Sequence, residues 1–318
     1  MKNLSQKSGG QALTKTAITL MCLYFLFCMI IFPQRFIKSG LNGISAWAFN
    51  VLPSVLPFMF FTRLLSSLGT MEKITKPFSK VSSFLFKTPP ISIYTFLMAI
   101  LSGYPVGTKM VADLYLQGKI TKTDALKMTS FCSTSGPMFI VGAVGISMFH
   151  SAKIGYILLA SHILSAIING IIFRNLKVKN KENLQKIDFR KQNFDISDIV
   201  LDSTISILSV GCVITIFFIV IESFAPVFNF LPQTLSCFLQ GIVEITKGCI
   251  TLSQIPNKFL AVSLASFVIS FGGISTIIQS KTMLKKLKMP TKLFVFQKLL
   301  HGVFSCIITT IILLIIQQ

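Results

Sequence analysis

Apolar runs close to 20 residues long recur along the chain, separated by short segments that hold most of the charge. A helix needs about 20 apolar residues to cross a bilayer core. The pattern therefore predicts spans at 16–32, 43–68, 129–149, 154–173, 203–224 and 294–316. Three further apolar stretches, 89–108, 234–252 and 258–280, are short or broken by small residues. Non-helical backbone at membrane depth survives only when buried in protein or facing a watery cavity, so these breaks mark where function would sit. The predicted fold class is all-α, a polytopic membrane protein with two related halves and re-entrant or broken helices.

The stretch 89–108 opens at Pro89-Pro90 and breaks at Ser102-Gly103-Tyr104-Pro105-Val106-Gly107. Lys73, Lys76, Lys80 and Lys87 precede it; Lys109, Lys119, Lys122 and Lys127 follow. Basic residues favour the cytoplasmic side, so both ends belong on one side and the stretch reads as a re-entrant hairpin. A Gly/Pro-kinked full span is the alternative. Residues 174–199 carry seven Lys and Arg and form the only long hydrophilic segment, which predicts a mobile cytoplasmic linker. The chain then divides into an N-terminal span (1–40), a first membrane repeat (41–173), the basic linker (174–199) and a second repeat (200–318).

In each half a small-residue break follows the opening span by about 60–70 residues: 102–107 after the span at Gly43, and 270–276 after the span at Ser203. Interrupted helices in corresponding places of two halves point to a transporter's central site. With inverted halves, Lys281, Lys285, Lys286, Lys288 and Lys292 fall outside, against the charge preference. Letting 258–280 cross removes that conflict and weakens the repeat, and the sequence leaves the choice open.

Composition agrees. The 318 residues are 52% hydrophobic and 13% charged, with a mean hydropathy of +0.74. A soluble domain carries about 25% charged residues, which excludes an ordinary cytosolic enzyme. The formal charge of +20 sits between apolar runs rather than on a basic face with aromatic partners, so nucleic acid is not expected. Seven cysteines, mostly within apolar runs and without a CxxC pair, argue against a disulfide framework. His150, His162 and His301 lack ligand spacing, so neither a metal nor a cofactor is expected. The apolar stretch 16–32 lacks an A-x-A site and reads as a retained span rather than a cleaved signal.

The candidate substrate site gathers at three breaks. At the first, Gly103 and Gly107 allow close backbone approach, and Pro105 leaves a carbonyl without its helical donor. A helix starting near Gly107 aims amide ends at an anion, and Lys109 adds a full charge or else reaches for headgroups; Ser102 and Tyr104 complete this group. At the second, Ser133, Thr134, Ser135 and Gly136 either line the cavity or serve helix packing. At the third, Gly272 and Gly273 followed by Ser275, Thr276 and Gln279 suit a second re-entrant tip or a tight helix crossing. Glu244 is the candidate coupling group, with a helical salt bridge to Lys247 as its plain alternative. No GxSxG, HExxH or P-loop is present, and no catalytic constellation is expected.

Segments 46–58, 102–109, 132–145, 241–248 and 271–279 together resemble the YlbJ-type (SpoVV) sporulation integral membrane proteins. The resemblance covers roughly residues 40–316. It implies two nucleoside-recognition gate domains and a role in endospore formation. It also implies traffic of dipicolinic acid across the outer forespore membrane. The combined expectation is an inner (plasma) membrane permease, acting in the outer forespore membrane during sporulation. It would carry a small anionic metabolite by alternating access, in the lipid bilayer, with homo-oligomerisation left open. The alternatives are a scaffold or regulator of spore-envelope assembly, and a nucleoside transporter.

Overall fold

The computed structural model describes residues 2–69, 73, 76–177 and 195–317, and every regular element among them is helical. Most of the expected linker, 178–194, lies outside the described residues. The chain opens with α1 (Lys2–Ile31) and α2 (Pro33–Ala46), the latter passing through a π-helical turn at Trp47–Val51 into α3 (Leu52–Ser67). Proline suits the start of α2, where its missing N–H would have no helical acceptor.

A short α4 (Ser79–Leu85) leads into α5 (Ile91–Ser102) and α6 (Val106–Leu116), which fold back on one another as a hairpin. Next comes α7 (Lys122–Met128), opened by a capping box between Thr121 and Asp124. The backbone is irregular at 129–137, then resumes as a π-helix at Met138–Met148. α8 (Ala152–Phe173) completes this half.

The second half starts with α9 (Ile196–Ser223) and a short α10 (Ala225–Asn229). α11 (Gln233–Val243) and α12 (Ile245–Ser253) form a second hairpin. α13 (Lys258–Phe271) and α14 (Gly273–Met283) are two pieces of one broken helix, and α15 (Thr291–Gln317) ends the fold.

The element order thus repeats: hairpin, broken helix, long helix. Each set follows a long helix, and these two leaders pack along one another. Ser39 Oγ donates to the Phe218 carbonyl at 3.0 Å, Trp47 Nε1 donates to the Ile207 carbonyl at 3.1 Å, and Arg35 pairs with Glu222. Glu222 is therefore a tie between the leaders. Among the described residues, five helices are long and apolar enough to cross a membrane: Pro33–Leu65, Ala152–Phe173, Ile196–Ser223, Lys258–Met283 and Thr291–Ile316. Their outer faces expose large apolar side chains, among them Ile205, Ile216, Ile307, Ile311 and Leu314, as lipid contact requires.

Several expectations change. The apolar part of the first helix, Lys15–Ile31, has 17 residues and sits at the lower limit of spanning length. The boundaries drawn at 40/41 and 199/200 fall inside α2 and α9. No span runs from 129 to 149: hydroxyls, Gly136 and Pro137 hold 129–137 out of helix, leaving only the 11-residue π-helix. The tip at 102–107 corresponds to the turn at Glu244 rather than to 270–276, and 270–276 is the break of α13/α14, the counterpart of 129–137.

Candidate functional site

Each half-helix of the two hairpins has 9 to 12 residues. At 1.5 Å per residue that is about 14–18 Å, half the depth of a bilayer core. Both tips and both breaks therefore come together deep inside the bundle.

At the first tip Gly103 has φ of +72°, and an added Cβ would stand 2.7 Å from the backbone nitrogen of Gly136. Only glycine meets both conditions. One turn on, a Cβ at Gly107 would lie 1.9 Å from the Cys132 carbonyl oxygen. These two glycines let the tip rest on the unwound segment 129–137; the close approach expected toward a ligand is made to protein backbone instead. At the second tip Glu244 is extended (φ −142°, ψ 126°), and its carboxylate accepts the Lys247 backbone N–H at 2.7 Å, capping α12. The expected Glu244–Lys247 salt bridge is replaced by this cap, while the Lys247 ammonium lies 5.1 Å from the Phe218 ring centre. The arms of this hairpin touch at Gly241 and Gly248, where a Cβ on Gly248 would fall 2.1 Å from the Gly241 Cα.

Between these elements lies a cavity with about 720 Å³ of unfilled space, its opening included. One wall is polar: Ser102, Tyr104, Ser135, Glu244, Thr246, Ser275, Thr276 and Gln279. The rest of the lining is apolar, with Val55, Phe58, Met59, Phe139, Val210 and Ile214 supplied by α3, the π-helix and α9. Such a wall suits a flat apolar face, while the polar wall suits a rim of hydrogen-bonding groups. The Ser102 hydroxyl is buried, lines the cavity and has no hydrogen-bond partner among the described residues. Buried hydroxyls seldom stay unpaired, and of those left unpaired among the described residues Ser102 is the one that lines the cavity.

Of the residues expected at the site, the cavity gathers Ser102, Gly103, Tyr104, Ser135, Gly136, Ser275, Gln279 and Glu244. Pro105, Gly107, Ser133, Thr134, Gly272 and Gly273 stand behind this wall. Gly272, left-handed at φ +92°, caps α13. Lys109 is exposed and away from the cavity. Among the described lining residues Glu244 alone is charged, and none is basic.

Sequence reasoning missed a polar cluster directly behind Tyr104. Lys298 of α15, 2% exposed, donates to the Tyr104 hydroxyl at 2.6 Å and to the Ser133 carbonyl at 2.7 Å, and meets His301 Nδ1 at 3.4 Å. His301 Nε2 reaches the His162 carbonyl at 3.1 Å, and the two imidazole centres are 4.7 Å apart. His162 accepts the Ser135 backbone N–H on Nε2 at 2.9 Å and pairs with the Ser270 hydroxyl through Nδ1 at 2.7 Å. The sequence signal was available: Lys298 lies within an apolar span, where ionisable side chains mark function.

A family model described as "Gate: Nucleoside recognition" matches residues 48–152, from the leader through the first hairpin and first broken helix. The sporulation integral membrane protein YlbJ of Bacillus subtilis (strain 168) is 26% identical over 339 residues, covering 93% of this chain and 82% of YlbJ. The chain resembles YlbJ. The resemblance drawn from the motifs thus holds over nearly the whole length. Among solved structures, a doubly substituted CNTnw in an outward-facing state superposes with a TM-score of 0.54 at 13% identity, over 95% of this chain and 84% of that one. The chain therefore shares the fold of that CNTnw structure. A second CNTnw variant, also outward-facing, gives a TM-score of 0.49 at 14% identity.

Proposed function

We propose that this chain is a permease that moves a small anionic metabolite across a membrane by alternating access and serves sporulation. The observation that carries the reading is the convergence of two hairpin tips and two helix breaks on one cavity with an unpaired buried hydroxyl at Ser102. Broken helices meeting in this way build the central site of secondary transporters. The sporulation role rests on the likeness to YlbJ.

Two features support an anion. The Lys298 ammonium lies one hydroxyl away from the cavity, with no carboxylate among its hydrogen-bond partners. The N-terminus of α14, which supplies Ser275 and Thr276 to the lining, has no side-chain cap and leaves its amide dipoles available. Glu244 opposes an anion, yet its carboxylate is already engaged by the Lys247 N–H. The apolar lining suits the faces of a planar ring, and dipicolinate is a planar dianion of suitable chemistry.

A nucleoside is the second reading, favoured by the description of the Gate family and by the fold. Uptake of labelled dipicolinate and labelled uridine into proteoliposomes, run in parallel, decides between them. Saturable dipicolinate uptake supports the anion reading, and uridine uptake alone supports the nucleoside reading. If neither solute enters active vesicles, a scaffold or regulator of spore-envelope assembly replaces both.

A further inference from the structure

The Lys298 side chain crosses between parts that a transport cycle must separate. Its contacts come from the first hairpin tip (Tyr104), the unwound segment (Ser133) and its own helix (His301). Three acceptors match the three N–H donors of an ammonium. A neutral amine has two N–H groups and a lone pair, so the Tyr104 contact must break or reverse, and reversing it takes the Tyr104 O–H from the Ile269 and Ser270 carbonyls of α13.

The neighbouring imidazoles are already committed. His162 accepts from the Ser135 N–H on Nε2, which leaves Nδ1 as the donor to Ser270. His301 faces a carbonyl with Nε2, which must donate, so Nδ1 is the acceptor toward Lys298. Each ring is thus fixed as one neutral tautomer, and the proton free to leave is the one on Lys298. The titratable groups around it are Tyr104 from the tip, Cys132 beside Ser133 in the unwound segment, His162 from α8 and His301 from α15. α13 presents the Ser270 hydroxyl. Among the described residues no carboxylate is hydrogen-bonded to Lys298.

We propose that Lys298 is a proton-operated latch: protonated, it pins the first hairpin tip to the unwound segment, and deprotonated, it releases the tip. The Tyr104 hydroxyl accepts from Lys298 and turns its own O–H toward the Ile269 and Ser270 carbonyls at the end of α13, at 3.5 and 3.4 Å. The net change on deprotonation is one ammonium becoming one amine and one proton entering solution. This places proton coupling at Lys298 rather than at Glu244. It rests on the permease reading for its use in transport, but the latch itself is testable without any solute.

The test is hydrogen–deuterium exchange of peptides covering 102–107 in the full chain in proteoliposomes, between pH 6 and pH 10, corrected for chemical exchange rates. Wild type should show tip exchange rising at least tenfold (order of magnitude) with pH, as loss of one binding contact worth about 1.4 kcal/mol gives tenfold. Lys298→Arg, which cannot deprotonate, should keep the tip protected throughout. Tyr104→Phe, which removes the acceptor for Lys298 and the hydroxyl's bonds to α13 with little change of shape, should leave the tip open at every pH. A flat wild-type profile, or an unchanged pH response in Tyr104→Phe, would overturn the latch even if Lys298→Arg failed to fold. A pH-gated tip in vesicles that move neither dipicolinate nor uridine would sink the permease reading and leave the latch standing.

Discussion

The backbone N–H of Ser135 donates to Nε2 of His162 at 2.9 Å, joining the unwound segment to a long helix 27 residues further along. Ser135 lines the cavity, so His162 sets the position of a site residue from behind without touching the cavity itself. His162→Leu would leave a buried N–H without an acceptor, which costs about 1–3 kcal/mol. A lower melting temperature in detergent and weaker solute binding are expected together; a variant as stable as wild type would show the contact to be idle.

Gly103→Val should abolish transport while leaving membrane insertion and expression intact. The new side chain meets the Gly136 backbone at 2.7 Å in a backbone conformation that β-branched residues avoid. Uptake assays on variants matched for expression check this, and full activity would remove the tip from the transport path.

Cysteines introduced at Ser102 and Ser135 should be shielded from thiol reagents by saturating solute. A cysteine at Lys109, exposed and outside the cavity, should react equally with or without it. Equal labelling at all three positions would mean that solute binds elsewhere.

Glu244 separates two roles that one substitution usually mixes. Glu244→Gln keeps an oxygen for the Lys247 N–H, so the α12 cap should survive; Glu244→Ala loses the cap, at a cost of about 1 kcal/mol. In alkaline buffer the Gln variant should also bind an anionic solute more tightly, because about 1–2 kcal/mol of repulsion is removed at an effective dielectric near 20. That corresponds to about five- to thirtyfold in KM, with uridine unchanged. Parallel KM measurements for the two solutes test the difference.

The membrane class and the break at 102–107 were legible because hydropathy and Gly/Pro breaks act locally; the hairpin drawn at 89–108 covers only α5 and the tip, since its second arm, α6, runs past Lys109 to Leu116. The three breaks were legible because Gly, Pro and runs of hydroxyls interrupt apolar helices wherever they fall. The second tip was misplaced for a physical reason: Phe271-Gly272-Gly273 resembles the first tip in composition, whereas Glu244 turns the chain with no Gly or Pro at the turn itself. The pair Glu244/Lys247 has the same three-residue spacing whether the carboxylate meets the lysine side chain on a helix face or its N–H at a helix start. Lys298 and His301 stand three residues apart on one helix face, but His162 could not be joined to them by spacing, since 139 residues separate the two histidines in the one hydrogen bond that links them.

The half-length hairpins have an electrical consequence. A solute held at their tips has crossed about half of the hydrocarbon core and therefore about half of any membrane voltage. One elementary charge falling through the full potential is worth about 2.3 kcal/mol per 100 mV, so each charge carried to the tips gains or loses about 1.2 kcal/mol per 100 mV. A nucleoside would make that journey indifferent to voltage. An anion would feel it on both legs, and the direction of transport would then follow the sign of the potential across whichever membrane holds the protein.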